Sequence, residues 1–266
     1  MTDQATGGTS RGPTVRREQV REHVLAEGFA RVEDLAHRFE VSAMTMHRDL
    51  DALEAEGWLV KIRGGATANP SATVEAGVLQ RRTAMQREKV AIAAEAATLL
   101  THGQTVFLDD STTVLAMVEH LLRRPPMVVA SNFVTAISAL GELGGTELLL
   151  FGGAFHPRQD SCMGMHTVEA IERMHADLFF MSTTAISQGR LLHRSEETVT
   201  VRKAFLRRSA HSVLLVDHAK FGRPAPHLLC DVGEFDTVVV DDGVDADDLA
   251  LLRERCDDVR VALVRR

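Results

Sequence analysis

The chain has 266 residues, 45% of them hydrophobic and 25% charged, and a formal net charge of −7. That length allows two domains with proper cores, and the balance is that of an ordinary globular protein. No apolar run approaches the about 18 residues of a membrane span, and the opening MTDQATGGTSRGPT lacks an apolar signal core, so a cytoplasmic protein with no membrane partner is expected.

Cys162, Cys230 and Cys256 are odd in number and far apart, which fits neither a disulfide framework nor a paired-cysteine zinc site. The 12 histidines are scattered without thiols or carboxylates at ligand spacing, so no metal and no cofactor is expected. Residues 1–65 hold nine Lys and Arg against eleven Asp and Glu, and the remainder 21 against 26, so any contact with nucleic acid must come from a local patch.

Residues 1–13 read as a polar tail. A helix from Arg16 to Glu27 carries Val20 and Val24 on one face and stops at Gly28. A second, about Val32 to Glu40, carries Leu35, Ala36 and Phe39. The third starts at Ser42, a good N-cap, and ends before Gly57. WLVKI then reads as a strand and Arg63-Gly64-Gly65 as a turn into another. Three short helices and a hairpin within 14–68 predict a winged helix-turn-helix.

On a wheel of about 100° per residue, Met46, Leu50 and Leu53 of the third helix fall together. Arg48 lies nearly opposite, flanked by Thr45 and His47. The candidate DNA-binding residues are Ser42, Thr45, Met46, His47 and Arg48 on this helix, with Lys61, Arg63, Gly64 and Gly65 in the hairpin; Met46 belongs to the segment although the wheel turns it inward. Arginine can pair bidentately with guanine, and cations at a hairpin tip suit phosphates or a minor groove. Arg11, Arg16, Arg17 and Arg21, at the entry to the first helix, are further candidates for phosphate contact. A solvated helix face would explain the same wheel without DNA.

Residues 69–80 have the small, polar, proline-containing composition of a linker. From Arg81 to Arg266 the pattern changes. EKVAIAAEAATLL reads as a helix, TVFLDD as a buried strand, TVLAMVEHLL as a helix, MVVAS as a strand and FVTAISAL as a helix. ELLLFGG, DLFFMS, SVLLVD, TVVVDD and RVALV read as further strands, with helices near 167–175, 196–208 and 246–255. The alternation predicts an α/β domain with a mainly parallel sheet.

In such sheets ligands bind beyond the carboxyl ends of the strands. FLDDSTTVL offers backbone N–H groups with the Ser111, Thr112 and Thr113 hydroxyls, a possible phosphate cradle, although plain helix capping by Asp110 or Ser111 is the simpler reading of that turn alone. Asn132, Gly152 and Gly153, and Asp217 with Lys220, follow other strands in the same way. Lysine occurs only at 61, 89, 203 and 220 in an arginine-using chain, so a lysine near these turns is informative, while Lys203 on a helix also reads as a surface residue.

The stretch VSAMTMHRDLDALEAEGWLVKIRGGA resembles the signature of the DeoR-type family of bacterial transcriptional repressors, matching at Ser42, Thr45, Arg48, Asp49, Leu50, Gly64, Gly65 and Ala66. It departs at His47, where arginine is commoner, and at Arg63, where histidine is usual. The second half is similar to that family's sugar-phosphate sensor domain. The matches are Glu88-Lys89, LDDSTT including Asp109, Ser131-Asn132, Gly152-Gly153, Glu197, Lys203 and DHAKFG. Ser111 stands where glycine is usual, Ala219 where serine is, and MSTTAIS lacks the glycine often found after that strand. The resemblance implies a fold related to ribose-5-phosphate isomerase, an operator DNA partner, a phosphorylated sugar effector and a homo-oligomer.

An isomerase-like enzyme with a DNA-binding head is the rival expectation, with Asp109, Asp217 or Glu197 as base and Lys220 as the cation that polarises a carbonyl. A redox or metal sensor is the other, and the scattered cysteines and histidines suit it poorly. The reading preferred from the sequence is a ligand-controlled repressor and not an enzyme.

Overall fold

The computed structural model describes residues 13–27, 29–55, 58–62, 64–68, 78–141 and 144–265. The chain divides into two compact units, residues 1–76 and 77–266. The boundary falls within the stretch expected as a linker, of which 69–77 lie outside the described residues and 78–80 open a helix.

The first unit runs α1 (Pro13–Glu27), β1 (Phe29–Arg31), α2 (Val32–Arg38), α3 (Ala43–Ala55), β2 (Leu59–Ile62) and β3 (Gly65–Ala68). The strands form an antiparallel sheet in the order β1-β3-β2. Val20, Val24, Leu35, Met46, Leu50, Leu53 and Leu59 fill one core, so each helix buries the stripe its spacing dictates. Ser42 caps α3: its Oγ accepts from the Thr45 N–H at 3.2 Å. β1 is the element that periodicity missed, since three residues are too few to display a period.

An ion cluster fastens α1 to α3. Asp49, 3% exposed, receives Arg16 Nε at 2.6 Å and Arg17 Nε at 3.1 Å. Gly64 turns the hairpin with φ of 82°, a conformation open to glycine at no steric cost. At Gly65 the reason is proximity: a Cβ would stand 2.5 Å from the Ala30 carbonyl oxygen and 2.6 Å from the Phe29 ring.

The second unit begins with α4 (Val78–Thr83) and α5 (Gln86–Ala96), the latter running into a 3-10 turn, Ala97–Leu99. Then come β4 (Thr105–Leu108), α6 (Thr112–Leu115), α7 (Val118–Arg123), β5 (Val128–Ser131), α8 (Val134–Ala139), β6 (Glu147–Leu150), β7 (Ala154–His156), β8 (Ser161–Met163) and α9 (Met165–Glu172). β9 (Leu178–Met181), β10 (Ala185–Ser187), β11 (Arg190–His193), α10 (Glu196–Arg207), β12 (Ser212–Val216), β13 (His227–Asp231), β14 (Thr237–Asp241), α11 (Ala246–Arg255) and β15 (Asp258–Ala262) complete it. TVLAMVEHLL, expected as one helix, is divided between α6 and α7.

Seven strands form a parallel sheet in the order β15-β14-β12-β9-β4-β5-β6. Both faces are covered, which is why its central strands are continuous apolar runs. Val106, Leu108, Phe180 and Leu215 point to one core under α5 to α8, while Phe107, Phe179, Leu214 and Val216 point to the other under α9 to α11. The chain leaves β4 outward to β5 and β6, then returns to β9 on the opposite side. The sheet therefore has its topological switch point between β4 and β9, where this architecture opens a crevice beyond the carboxyl ends. β10, β11 and β13 form a separate antiparallel sheet, and β7 pairs with β8.

Gly65→Ala is expected to destabilise the first unit by about 1–3 kcal/mol through overpacking against β1. Thermal unfolding followed by the fluorescence of Trp58, the single tryptophan, checks this, and an unchanged midpoint would mean that the sheet absorbs the methyl group.

Candidate functional site

The exposed face of α3 carries Met44, His47 and Arg48, preceded by exposed Ser42. Thr45 is half-buried, its Oγ1 2.9 Å from Ser42 Oγ. No acidic residue stands in the first turn of α3, so the positive end of the helix dipole faces outward unopposed. Met46 is a correction: it is 0% exposed in the core and cannot touch a partner, whereas Met44, two positions earlier, is 67% exposed. The helical period separates these two methionines by about 200°.

In the hairpin, Lys61 is ion-paired with Asp51, and its backbone N–H donates to Glu54 Oε1 at 2.7 Å. Arg63 lies outside the described residues. Gly64 is exposed, while Gly65 is buried and its role is to let β1 and β3 approach. Two of the four arginines at the entry to α1 are also corrected. Arg16 is committed to Asp49, and Arg21 pairs with Glu18 with its guanidinium 4.2 Å from the Trp58 ring centroid. Arg17 shares Asp49 but stays 40% exposed, and Arg11 lies outside the described residues.

In the second unit, the turns after β4, β5, β9 and β12 converge on one edge. Their organiser is Arg202, which is 2% exposed. Its Nη2 donates to Asp110 Oδ1 at 2.8 Å and lies 3.2 Å from Asp109 Oδ2; its Nη1 donates to the Ser182 carbonyl at 2.7 Å. Asp109, 0% exposed, bridges the switch point, accepting from Ser111 N–H and Ser182 N–H at 2.9 Å each.

One guanidinium faces two buried carboxylates here, and they titrate apart. Burial raises Asp109 above the usual carboxylate range despite Arg202. Burial would raise Asp110 as well, but the charge and hydrogen bond of Arg202, with Arg81 and His193, outweigh it and hold Asp110 low. His193 is pushed down to about 3 by burial and by Arg202, so it is neutral.

Arg202 is seated from below. Phe205, three residues on and on the same face of α10, stacks on Phe179 with centroids 5.1 Å apart and meets Phe107 edge-on at 5.3 Å. The next residue, Lys203, points outward instead, and the structure does not bring it to the edge. Glu197 also lies at the surface, its Oε2 3.6 Å from His156 Nε2.

Ser111 is the N-cap of α6, its Oγ accepting from the Val114 N–H at 3.1 Å, so capping does occur at this turn. Thr112 and Thr113 are buried beside it. Thr112 Oγ1 accepts from Lys89 Nζ at 3.1 Å. Asn132 Nδ2 donates to the Cys162 carbonyl at 2.9 Å, clamping β8 to the edge, while its Oδ1 has no protein partner. Gly152 gives its carbonyl to Thr167 Oγ1 at 2.9 Å, and a Cβ on Gly153 would stand 2.1 Å from that hydroxyl. Of the pair, Gly153 is the one that the packing of α9 requires, since a Cβ on Gly152 would meet nothing within 4 Å. Asp217, 0% exposed, has Lys220 Nζ 3.9 Å away, and neither of its oxygens has a hydrogen-bond partner in the protein.

Two lysines at this edge are short of negative charge. Lys89 is lowered to about 8 by burial, with Lys220 and Arg81 adding repulsion that Asp217 and Glu88 only partly offset. Lys220 is lowered by burial and by Arg223, Arg81 and Arg194, against Asp217. Of these cations, only Lys220 was singled out as a site residue by strand position. Arg202 has a signal in the sequence, since it sits three residues before Phe205 on an apolar helix face, whereas the scarcity of lysine points to its neighbour Lys203.

Among the described residues there is no group of three or more His, Cys, Asp or Glu placed to hold a metal ion, and no helix long and apolar enough to cross a membrane.

Residues 16–72 match the DeoR-like helix-turn-helix domain and residues 84–242 the DeoR C terminal sensor domain. The chain belongs to the DeoR family. Its relatives include an uncharacterized HTH-type transcriptional regulator, YgbI, of Escherichia coli strain K12, 31% identical over 87% of this chain and 91% of that protein. The glycerol-3-phosphate regulon repressor of the same organism is 30% identical over 86% of this chain and 90% of its own length. Among solved structures, ribose 5 phosphate isomerase A from Neisseria gonorrhoeae overlaps loosely, at 11% identity and a TM-score of 0.35 over 50% of this chain and 52% of that one. As a DeoR-family member the chain is a DNA-binding transcriptional regulator.

Arg202→Met would leave Asp109 and Asp110 buried without their cation and is expected to cost about 3–5 kcal/mol. Lys203→Met, one residue along, should change stability by less than about 0.5 kcal/mol. Urea unfolding followed by circular dichroism separates the two; equal effects would remove Arg202 from the centre of this edge.

Proposed function

We propose that this regulator is a repressor of a carbohydrate-metabolism operon, released from or fastened to operator DNA by a phosphorylated sugar. The observation that carries the effector half is the clustering of cations beside Thr112. Lys89, Lys220 and Arg81 repel one another at the carboxyl edge of the sheet, and a phosphate dianion would relieve that repulsion. Buried acceptors without partners, Asp217 and Asn132 Oδ1, suit the hydroxyls of a polyol. One relative is a glycerol-3-phosphate regulon repressor, which supports the same chemistry.

In this reading Thr112 and Lys220 touch the ligand with Lys89 and Arg81. Asp109, Ser111 and Arg202 hold the turns in place, and Asn132 and Asp217 face the sugar. Thr113, Gly152 and Gly153 shape the edge, and Glu197 and Lys203 stand apart from it. For the DNA half, Ser42, Met44, Thr45, His47 and Arg48 meet the duplex, Arg48 on a base edge and the start of α3 against phosphate. Gly64 shapes the wing, and Arg63 is a candidate phosphate contact. A homo-oligomer in the cytoplasm would present paired heads to a two-fold operator.

The chain is read as a sensor and not a catalyst. Asp109, a candidate base from sequence, has both oxygens taken by Ser111, Ser182 and Arg202. Glu197 is at the surface. Incubation with ribose 5-phosphate and related aldose phosphates should yield no turnover, and sustained isomerisation would restore the enzyme reading.

Arg48→Ala should abolish retention of operator DNA in a gel-shift assay while leaving the circular dichroism spectrum unchanged; undiminished retention would remove Arg48 from the interface. Lys89 titrates at about 8 without ligand, so it is charged below that pH and loses its charge above it. Phosphate affinity, measured by calorimetry, is therefore expected to hold through neutral pH and to fall as pH rises beyond about 8. Lys89→Met should remove that limb of the profile, and a profile identical to wild type would exclude Lys89 from the site.

A further inference from the structure

α4 has six residues and is the first described helix after 69–77, the stretch that joins the two units in sequence. A helix so short is marginal, and its last carbonyls have no acceptor role within the helix itself. One side chain takes up that end. Lys89 Nζ donates to the Ala84 carbonyl at 2.7 Å, to the Arg81 carbonyl and to Thr112 Oγ1 at 3.1 Å. Thr112 Oγ1 in turn donates to the Arg81 carbonyl at 3.2 Å. The following turn places Met85 at φ of 52°, a left-handed conformation that a side chain adopts only when its surroundings hold it there.

An ammonium has three N–H donors, and all three of Lys89 are committed. A phosphate oxygen that accepts from the Thr112 hydroxyl must therefore displace the Arg81 carbonyl, and one that reaches Lys89 must displace a carbonyl of residues 81–84 or Thr112 Oγ1 itself. We propose that Lys89 and Thr112 are a latch that caps α4 in the ligand-free protein, and that an anion at Thr112 opens it and frays the helix next to the inter-unit connection. The inference rests on reading the Thr112 turn as the phosphate subsite. Exchange of partners is favoured because a charged acceptor makes the stronger bond to an ammonium than a neutral carbonyl does. Ligand and linker are then coupled through one set of hydrogen bonds that cannot all be made at once.

Amide hydrogen exchange on the full chain, with inorganic phosphate as the probe, tests the latch. Thr112→Val and Lys89→Met should each speed exchange in residues 78–85 by about tenfold without any ligand, while β12 and β14 keep their protection. Thr112→Ser, which retains the hydroxyl, should exchange like wild type. Phosphate should speed exchange of 78–85 in wild type and have no further effect in Lys89→Met. Should Lys89→Met fail to fold, the Thr112 pair alone decides.

Phosphate binding is followed on the same samples by calorimetry. If phosphate binds wild type but exchange in 78–85 stays unchanged, the latch is overturned while the subsite stands. Unchanged exchange in both ligand-free variants overturns it too. If phosphate does not bind, the subsite reading falls and takes the ligand-driven opening with it.

Discussion

The second unit depends on one buried cation. Arg202 is the group that lets the turn after β4 carry two carboxylates into the interior of the sheet edge and ties it to the Ser182 carbonyl after β9. Without it, Asp109 and Asp110 would each face desolvation alone, and the crevice at the switch point would have no reason to keep its shape. Phe205 fixes where that cation stands, so the aromatic cluster below the sheet and the polar edge above it are parts of one arrangement.

The edge is balanced unevenly. Between β4 and β9 two carboxylates share Arg202, with Arg81 acting on Asp110 as well, whereas beside Thr112 the ammonium groups of Lys89 and Lys220 repel each other. A fold that keeps ammonium groups in partial burial with their acidities raised holds them ready for an anion from outside. The lysine proposed to meet the anion also holds the end of α4, and under that proposal a metabolite would reach the chain segment that leads in sequence toward the DNA-binding unit.

Much of this was legible in the sequence, and the failures have identifiable causes. The helices of the winged unit follow from Val20, Val24, Leu35 and Leu50 at helical spacing and from the Ser42 cap. The parallel strands follow from apolar runs such as SVLLV and TVVVD. The strands β7, β8, β10, β11 and β13, of three to five residues each, carry no long apolar run and so give no strand signal in the sequence. The first half of α4, residues 78–80, falls in the stretch expected as a linker, because the six residues VLQRRT show too few turns for a period.

Among site residues, the turn positions Thr112, Asn132, Asp217 and Lys220 did gather at one edge, because each follows a strand of the same parallel sheet. Glu197 and Lys203 did not, because helical phase and not sequence neighbourhood decides which side chain of α10 turns inward. Gly65 and Gly153 proved to be packing residues, a distinction that needs the neighbouring backbone to be seen.

The central claim is that a phosphate bound beside Lys89, Lys220 and Thr112 in the sensor unit governs DNA retention. The most direct measurement is a gel shift of the full chain on DNA upstream of its own gene, titrated with a panel of sugar phosphates and the same sugars lacking phosphate. At least one sugar phosphate should alter retention at concentrations where its unphosphorylated counterpart has no effect. Retention indifferent to every phosphate, or equally responsive to the free sugars, would contradict the account.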